Sequence, residues 1–311
     1  MIRHLLTAVV LVFLVFSYSF AATYNNFHGL PASSKSLGIG NVQGFDTGAS
    51  AIFENPASID VNVFSFGLMN TYMMENKSAY TAYSAALDII GVIIGVGFRQ
   101  SLVDDLYITD VTDFSNDFKI IDSFMVKNSQ LKLAGSIPLS KSFRIGVAGS
   151  IFEHVVGDKS GRGTNLDLGL LYDVGPLKVS LFGQNVLTFL DIEWQNAKEQ
   201  LPIILNGATQ LRFYDIDLFL QLQQHNNRLL KSIGTRYTPS LFDGLVYLST
   251  GSEEYSVLGK SKRRNVIGLG LNLDLSLFEK TESNMGIDFS YQKSDYVLDD
   301  NRYLVSFAIN L

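Results

Sequence analysis

The sequence predicts an all-β fold: a transmembrane, antiparallel, up-and-down β-barrel of about 14 strands closed around a small N-terminal plug. Three observations carry this expectation. From residue 61 onward, apolar residues alternate with small or polar ones at period two, and no helical period recurs. Only 17% of the residues are charged, while 22 are Phe and 14 are Tyr. Yet no stretch after the N-terminus reaches the ~18 consecutive apolar residues of a membrane helix. The alternating segments also run close to ten residues, the length of a tilted membrane strand.

Residues 1–21 read as an export signal, with Arg3 in the charged region, an apolar core over 5–16, and small Ser19 and Ala21 before a cut at Ala22. Residues 22–60 read as the plug. The stretch 36–60 is rich in Gly and Ala, and Gly38, Gly40, Gly44 and Gly48 permit close backbone approach. Asn55-Pro56 marks a turn, since Pro56 fixes its own φ and restricts Asn55. A dinucleotide loop is a poor fit to Gly38-x-Gly40, because Gln43 stands at the third glycine position and no helical pattern follows.

The barrel occupies residues 61–311. Its expected strands are 62–70, 78–87, 89–98, 129–138, 143–154, 164–174, 176–185, 203–212, 215–224, 229–238, 244–251, 265–275, 284–292 and 302–311. An even number suits a single-chain barrel. The late strands alternate most cleanly. Ile267, Leu269, Leu271, Leu273 and Leu275 oppose Gly268, Gly270, Asn272 and Asp274; Met285, Ile287, Phe289 and Tyr291 oppose Gly286, Asp288, Ser290 and Gln292. The apolar faces should meet lipid, and charge should be tolerated better at inward Ser290 or Asn272. Connections after odd strands are mostly longer than those after even ones, as for outer loops against periplasmic turns. The longest, 99–128, carries Asp104, Asp105, Asp110, Asp113 and Asp117 among apolar residues and reads as a lid over the barrel mouth.

Chemistry has little footing. His4, His28, His154 and His225 are scattered without metal-ligand spacing, there is no Cys, and no calcium-loop pattern is present. No enzyme activity, cofactor or metal is expected, and the net charge of −6 argues against a nucleic-acid partner. Lys260, Lys262, Arg263 and Arg264 form a basic run on an outer loop that could meet lipid phosphates. Alternation turns Arg144, Asp167, Arg212, Arg236, Asp274, Asp288 and Arg302 inward. Pairing of Arg144, Arg212, Arg236 and Arg302 with the plug carboxylates Asp46 and Glu54 is expected, because an uncompensated buried charge is costly.

The ordered set Gly38, Gly40, Asn41, Gly44, Ala49, Ala51, Asn55, Pro56 and Ala57, directly after an export signal, resembles the N-terminal hatch of FadL-like outer-membrane proteins, including the PorV/PorQ branch. Ser58 departs from the glycine seen in fatty-acid transporters. Asn165-Leu-Asp-Leu-Gly-Leu-Leu-Tyr172, Gly183-Gln184-Asn185, Leu201-Pro202 and the block 296–303 extend the resemblance towards the PorV branch. The resemblance implies an outer-membrane barrel whose hatch, at Gly38, Gly40, Asn41, Gly44, Asn55, Pro56 and Ala57, gates passive passage of a small hydrophobic ligand. Its alternative implication is a PorV-like accessory barrel that binds protein partners through extracellular loops. Outer-membrane lipid is the surrounding partner in either case.

Overall fold

The computed structural model describes residues 30–73, 78–111, 118–194, 198–199, 201–225, 228–257, 260–275, 283–294 and 301–311. The signal 1–21 and residues 22–29 lie outside them, as do Asp113, Asp117 and most of the block 296–303.

Fourteen strands form the wall: β1 (Phe64–Met73), β2 (Ser78–Ile89), β3 (Val92–Val111), β4 (Phe118–Ser140), β5 (Phe143–Val156), β6 (Lys159–Val174), β7 (Leu177–Glu193), β8 (Ile204–Phe213), β9 (Ile216–His225), β10 (Arg228–Tyr237), β11 (Val246–Val257), β12 (Lys260–Asp274), β13 (Asn284–Ser294) and β14 (Arg302–Asn310). Each pairs antiparallel with the next, and a two-residue pairing, Lys198–Glu199, extends β7. β1 closes on β14 from Ser65↔Asn310 to Tyr72↔Tyr303, so no open edge is left.

The alternation sorts the two faces. Ile94, Leu133, Val147, Leu220, Ile267 and Val305 are exposed on the outside, whereas Gly95, Ala134, Ala148, Gln221, Val266 and Leu304 lie inside. A soluble sandwich would bury such an apolar girdle; a membrane barrel turns it to lipid. Short turns mark one end. Ile90 and Gly91, at φ 56° and 80°, join β2 to β3, the two-residue turn whose twist suits a hairpin. By the usual topology this is the periplasmic end.

The structure departs from the expected strands at the opposite end. The described parts of 99–128 are strand rather than lid: β3 runs on to Val111, and β4 begins at Phe118 and pairs with it. Leu102, Val103 and Leu106 continue the strand with bulges at Val103/Leu106 and Ile108/Thr109, and each bulge reverses the alternation that sequence reading depends on. β7 likewise continues past 185. There a four-residue step, from Gly183 to Leu187, faces the two-residue step from Leu168 to Leu166 on β6. Asn185 sits at the break with φ 58°.

Candidate functional site

Residues 30–59 are almost all buried, and their contacts go to the inward faces of the wall. The segment contains helix α1 (Ser34–Gly38) and two 3-10 turns, Ala49–Phe53 and Pro56–Ser58. α1 is capped by the Ser33 side chain, which accepts from Ser36 N–H, and lies against β12–β14. Ser34 N–H donates to Ser306 Oγ at 3.1 Å, and Ser290 Oγ donates to Ser34 O at 2.5 Å. Inward Ser290 is therefore a buried contact, not the tolerant lumen position that alternation alone suggests.

Glycines let the backbone seat directly on the wall. Ile39 and Gly40 press on Gly234 and Gly251 of β10 and β11, where any Cβ would overlap main chain. Asn41 and Gln43 bracket Gln221: Gln43 N–H donates to its Oε1 at 2.7 Å, and its amide reaches Asn41 O at 3.5 Å. Ile39, Val42 and Phe45 pack on Ala208 and Phe219. Ile52 and Phe53 cover Gly95 and Gly97; an added Cβ at Gly97 would stand 2.6 Å from Phe53 Cζ. Gly91, within the strand expected over 89–98, lies in the β2–β3 turn instead.

Asn55, Pro56 and Ala57 form a second close seating. Asn55 caps its own turn by accepting Ala57 N–H at 2.9 Å. Its amide donates to Leu170 O at 3.0 Å and Ser180 Oγ at 2.8 Å. The turn lies on Gly146 and Gly169, where added Cβ atoms would collide with Pro56–Ala57 backbone and the Asn55 side chain. β5 and β6 carry these glycines close to short turns, so the contact sits towards the periplasmic end.

The charges pair differently from the expected scheme. Arg144 bridges Asp60 at 2.6 Å and donates to Ile59 O at 3.4 Å. Arg212 and Arg236 both bind Asp217, at 2.8 and 2.7 Å, within the wall. Arg302 is partly buried on the inward face of β14. Asp46 accepts Ser50 Oγ–H at 2.5 Å and Gly48 N–H at 3.4 Å, and Glu54 accepts Gly44 N–H at 2.7 Å. For Asp46 the segment's own donors occupy oxygens that a guanidinium would take, whereas Glu54 Oε1 is buried without a hydrogen-bond partner among the described residues. Burial pushes the Glu54 carboxyl up to about 8, and the nearby Asp46 charge adds to the rise. Burial also works against ionised Asp46, but Lys35 and the bonds from Ser50 and Gly48 outweigh it and hold Asp46 below its ordinary value.

Alternation alone did not reveal a buried network on β3–β7. Lys132 Nζ lies 2.6 Å from Asp167 Oδ2, and Asp167 Oδ1 accepts Asn165 and Asn185 N–H groups at 3.0 and 2.8 Å. Asn185 thus joins the β7 bulge to this carboxylate, and its amide donates onward to Pro202 O at 2.7 Å. Arg99 donates to Gln130 at 2.5 Å and covers the Phe53 ring at 5.2 Å. The inward positions of Asp167 and Asn165 were legible from period two; their partners, Lys132 two strands back and Asn185 on the next strand, were not.

Apolar side chains of wall and segment form one cluster. From the wall come Met69, Tyr80, Ile93, Phe152, Val266 and Leu304; from the segment come Leu30, Leu37, Ile52, Phe53 and Ile59. The segment leaves a gap towards β1, β2 and β12–β14. A cavity of about 340 Å³ lies there, lined by Lys35, Asp46, Ser50, Asp274, Asp288 and Asn310 among others. No cluster of three or more metal-ligating side chains occurs among the described residues.

No family model matches the sequence, and no curated protein matches it. Solved structures do resemble the chain. The CymD monoaromatic hydrocarbon channel superposes with a TM-score of 0.66 at 11% identity, covering 90% of this chain and 97% of that one. This chain has the fold of the hydrocarbon channels. The Pseudomonas putida toluene transporter TodX gives a TM-score of 0.66 at 12% identity, with 91% and 99% covered. The Ralstonia pickettii toluene transporter TbuX gives 0.57 at 11% identity, with 89% and 96% covered.

Proposed function

We propose that this chain is a FadL-like outer-membrane channel for passive uptake of small hydrophobic molecules, exported by residues 1–21 and closed by residues 22–60 as its hatch. The observation that carries the reading is the continuous apolar cluster shared by the wall and the segment. The hatch now fills the ground an apolar ligand would occupy. Moving it would leave Met69, Tyr80, Ile93 and Phe152 to shelter such a ligand from water. The hatch is pinned at Ile39–Gly40 on β10 and β11 and at Asn55–Ala57 on β5 and β6, and it borders the cavity beside Lys35 and Asp46. Release is therefore proposed along that cavity side, with residues 46–50 yielding before the stretches seated at Gly38, Gly40, Asn41 and Gly44 and at Asn55, Pro56 and Ala57. The hydrocarbon channels of like fold support the ligand class, and the hatch-like motif supports the FadL-like assignment. No chemical step or cofactor enters the mechanism.

Deletion of residues 37–53 tests it. The expected outcome is a folded barrel that admits small aromatic hydrocarbons, such as toluene, faster into vesicles. A folded deletion variant that stays impermeable would refute uptake and return the weight to the PorV-like accessory reading, which rests on the sequence resemblance alone.

A further inference from the structure

The outward face of β10–β13 carries a feature that passage through the lumen does not use. Strand register places Leu222 opposite Lys231, Glu254 opposite Arg263, and Asn265 opposite Lys293. Ile233 stands opposite Ser252. Lys231, Glu254 and Arg263 therefore form one row across three strands towards the long-hairpin end. Ser252, Asn265 and Lys293 lie one row nearer the bilayer centre. One row further in, outward Tyr291 packs on Tyr303 with ring centroids 5.0 Å apart. Paired aromatic rings of this kind mark the boundary between hydrocarbon and head groups.

The three cations are exposed, and Arg263 retains 61% of its side-chain surface. The carboxylate among them, Glu254, approaches Arg263 only to 3.8 Å, beyond a hydrogen bond. Lys231 and Arg263 are two strands apart, roughly 10 Å. Between and below them runs a groove of about 600 Å³, with Leu220, Leu222 and Ile233 as apolar walls and small Ser252 in its floor. The hairpin of β3 and β4 at the same end instead exposes Asp104, Asp105 and Asp122. Three cations with one carboxylate, Glu254, leave a net positive charge beside hydrocarbon, and phosphate oxygens at head-group level accept charge-assisted hydrogen bonds from such cations.

We infer that this groove holds a phosphate-bearing lipid of the outer leaflet. Its head group lies across Lys231, Arg263 and Lys293, and an acyl chain descends between Leu220, Leu222 and Ile233. Charge complementarity selects the phosphate, and the apolar walls select an amphiphile over a free anion.

The test uses the full chain in neutral detergent, with native mass spectrometry of bound dioleoyl phosphatidate and of dioleoylglycerol, which has the same tails without phosphate. Phosphatidate should be retained and dioleoylglycerol lost. Lys231→Gln, Arg263→Gln and Lys293→Gln should each weaken retention roughly five-fold, and the triple variant roughly a hundred-fold. Lys159→Gln, at the same end but on the β5–β6 side, should change nothing. Ile233→Trp, which fills the groove and keeps the charges, should also lower retention. Heat-modifiable gel migration identifies the folded variants to be compared. Equal retention of the two lipids, or an unaffected triple variant, would overturn the inference. Displacement of phosphatidate by millimolar inorganic phosphate would overturn it too, because the site would then serve a soluble anion.

Discussion

Gly146→Ala should loosen the hatch while leaving the wall intact. The three atoms nearest an added Cβ are main-chain atoms of Pro56 and Ala57, and all would lie closer than real side chains allow. No rotamer can relieve such a clash, so either β5 or the hatch must move. β5 is bonded on both sides, with Gly146 opposite Ser136 and Gly169. The turn is held by fewer bonds: the Asn55 amide to Leu170 and Ser180, Arg144 to Ile59, and Ser136 Oγ to Ala57 O at 3.4 Å. The hatch should therefore yield. Overpacking of this kind costs ~1–3 kcal/mol, and a mid-range cost of about 2 kcal/mol would raise the unseated population roughly 30-fold. Conductance in a planar bilayer and protease cutting within residues 37–53 should both rise. Gly135→Ala is the control, because it faces open space outside the wall. A Gly146→Ala barrel that folds normally but shows neither change would refute the argument that hatch seating depends on this glycine.

On the lipid face, Leu269→Arg and Phe289→Arg should each cost ~2–4 kcal/mol for refolding into vesicles, whereas exposed, lumen-side Asn272→Asp should cost far less. Ser290→Asp should also destabilise, since its hydroxyl is buried against Ser34. Glu54 binds its proton more tightly when the hatch is docked, so docking is strongest below the ordinary value of 4.5 and weakens as pH rises to about 8. Asp46 has the opposite sign, but its contribution is lost only as pH falls through its lowered value, below 3.8, outside that window. Protease protection of the hatch should therefore decline between pH 4.5 and 8, and Glu54→Gln should flatten the profile. Lys132→Met should cost ~3–5 kcal/mol by leaving Asp167 buried without its cation; adding Asp167→Leu should recover part of that loss in urea titrations. Full additivity of the two substitutions would show that the pair is not coupled.

The sequence by itself determined the barrel, because a wall with lipid on one side and a packed interior on the other writes itself into every second residue. Ile267, Leu269 and Leu271 against Gly268 and Gly270 already state which face is which. It also indicated the turn at Asn55-Pro56, since that pair restricts the backbone locally and small residues must flank a close approach. Asn185 shows where this reading stops. Its motif with Gly183 and Gln184 was visible, but not that a positive φ there would break the β6–β7 register and aim its backbone N–H at Asp167. The 99–128 hairpin was missed for the same reason, as bulges shift the period without any compositional mark.

Pairing of charge was decided only in three dimensions. Parity turns Arg144, Arg212, Arg236 and Arg302 inward, but choosing a partner depends on height along the barrel and on which donors are nearer. Asp217 faces Arg212 and Arg236 across neighbouring strands, and Asp60 lies beside Arg144. Asp46 and Glu54 are held by Ser50, Gly48 and Gly44 a few residues away in the chain. Period two specifies a direction for each side chain; the stagger of strands and the course of the enclosed segment specify what it meets.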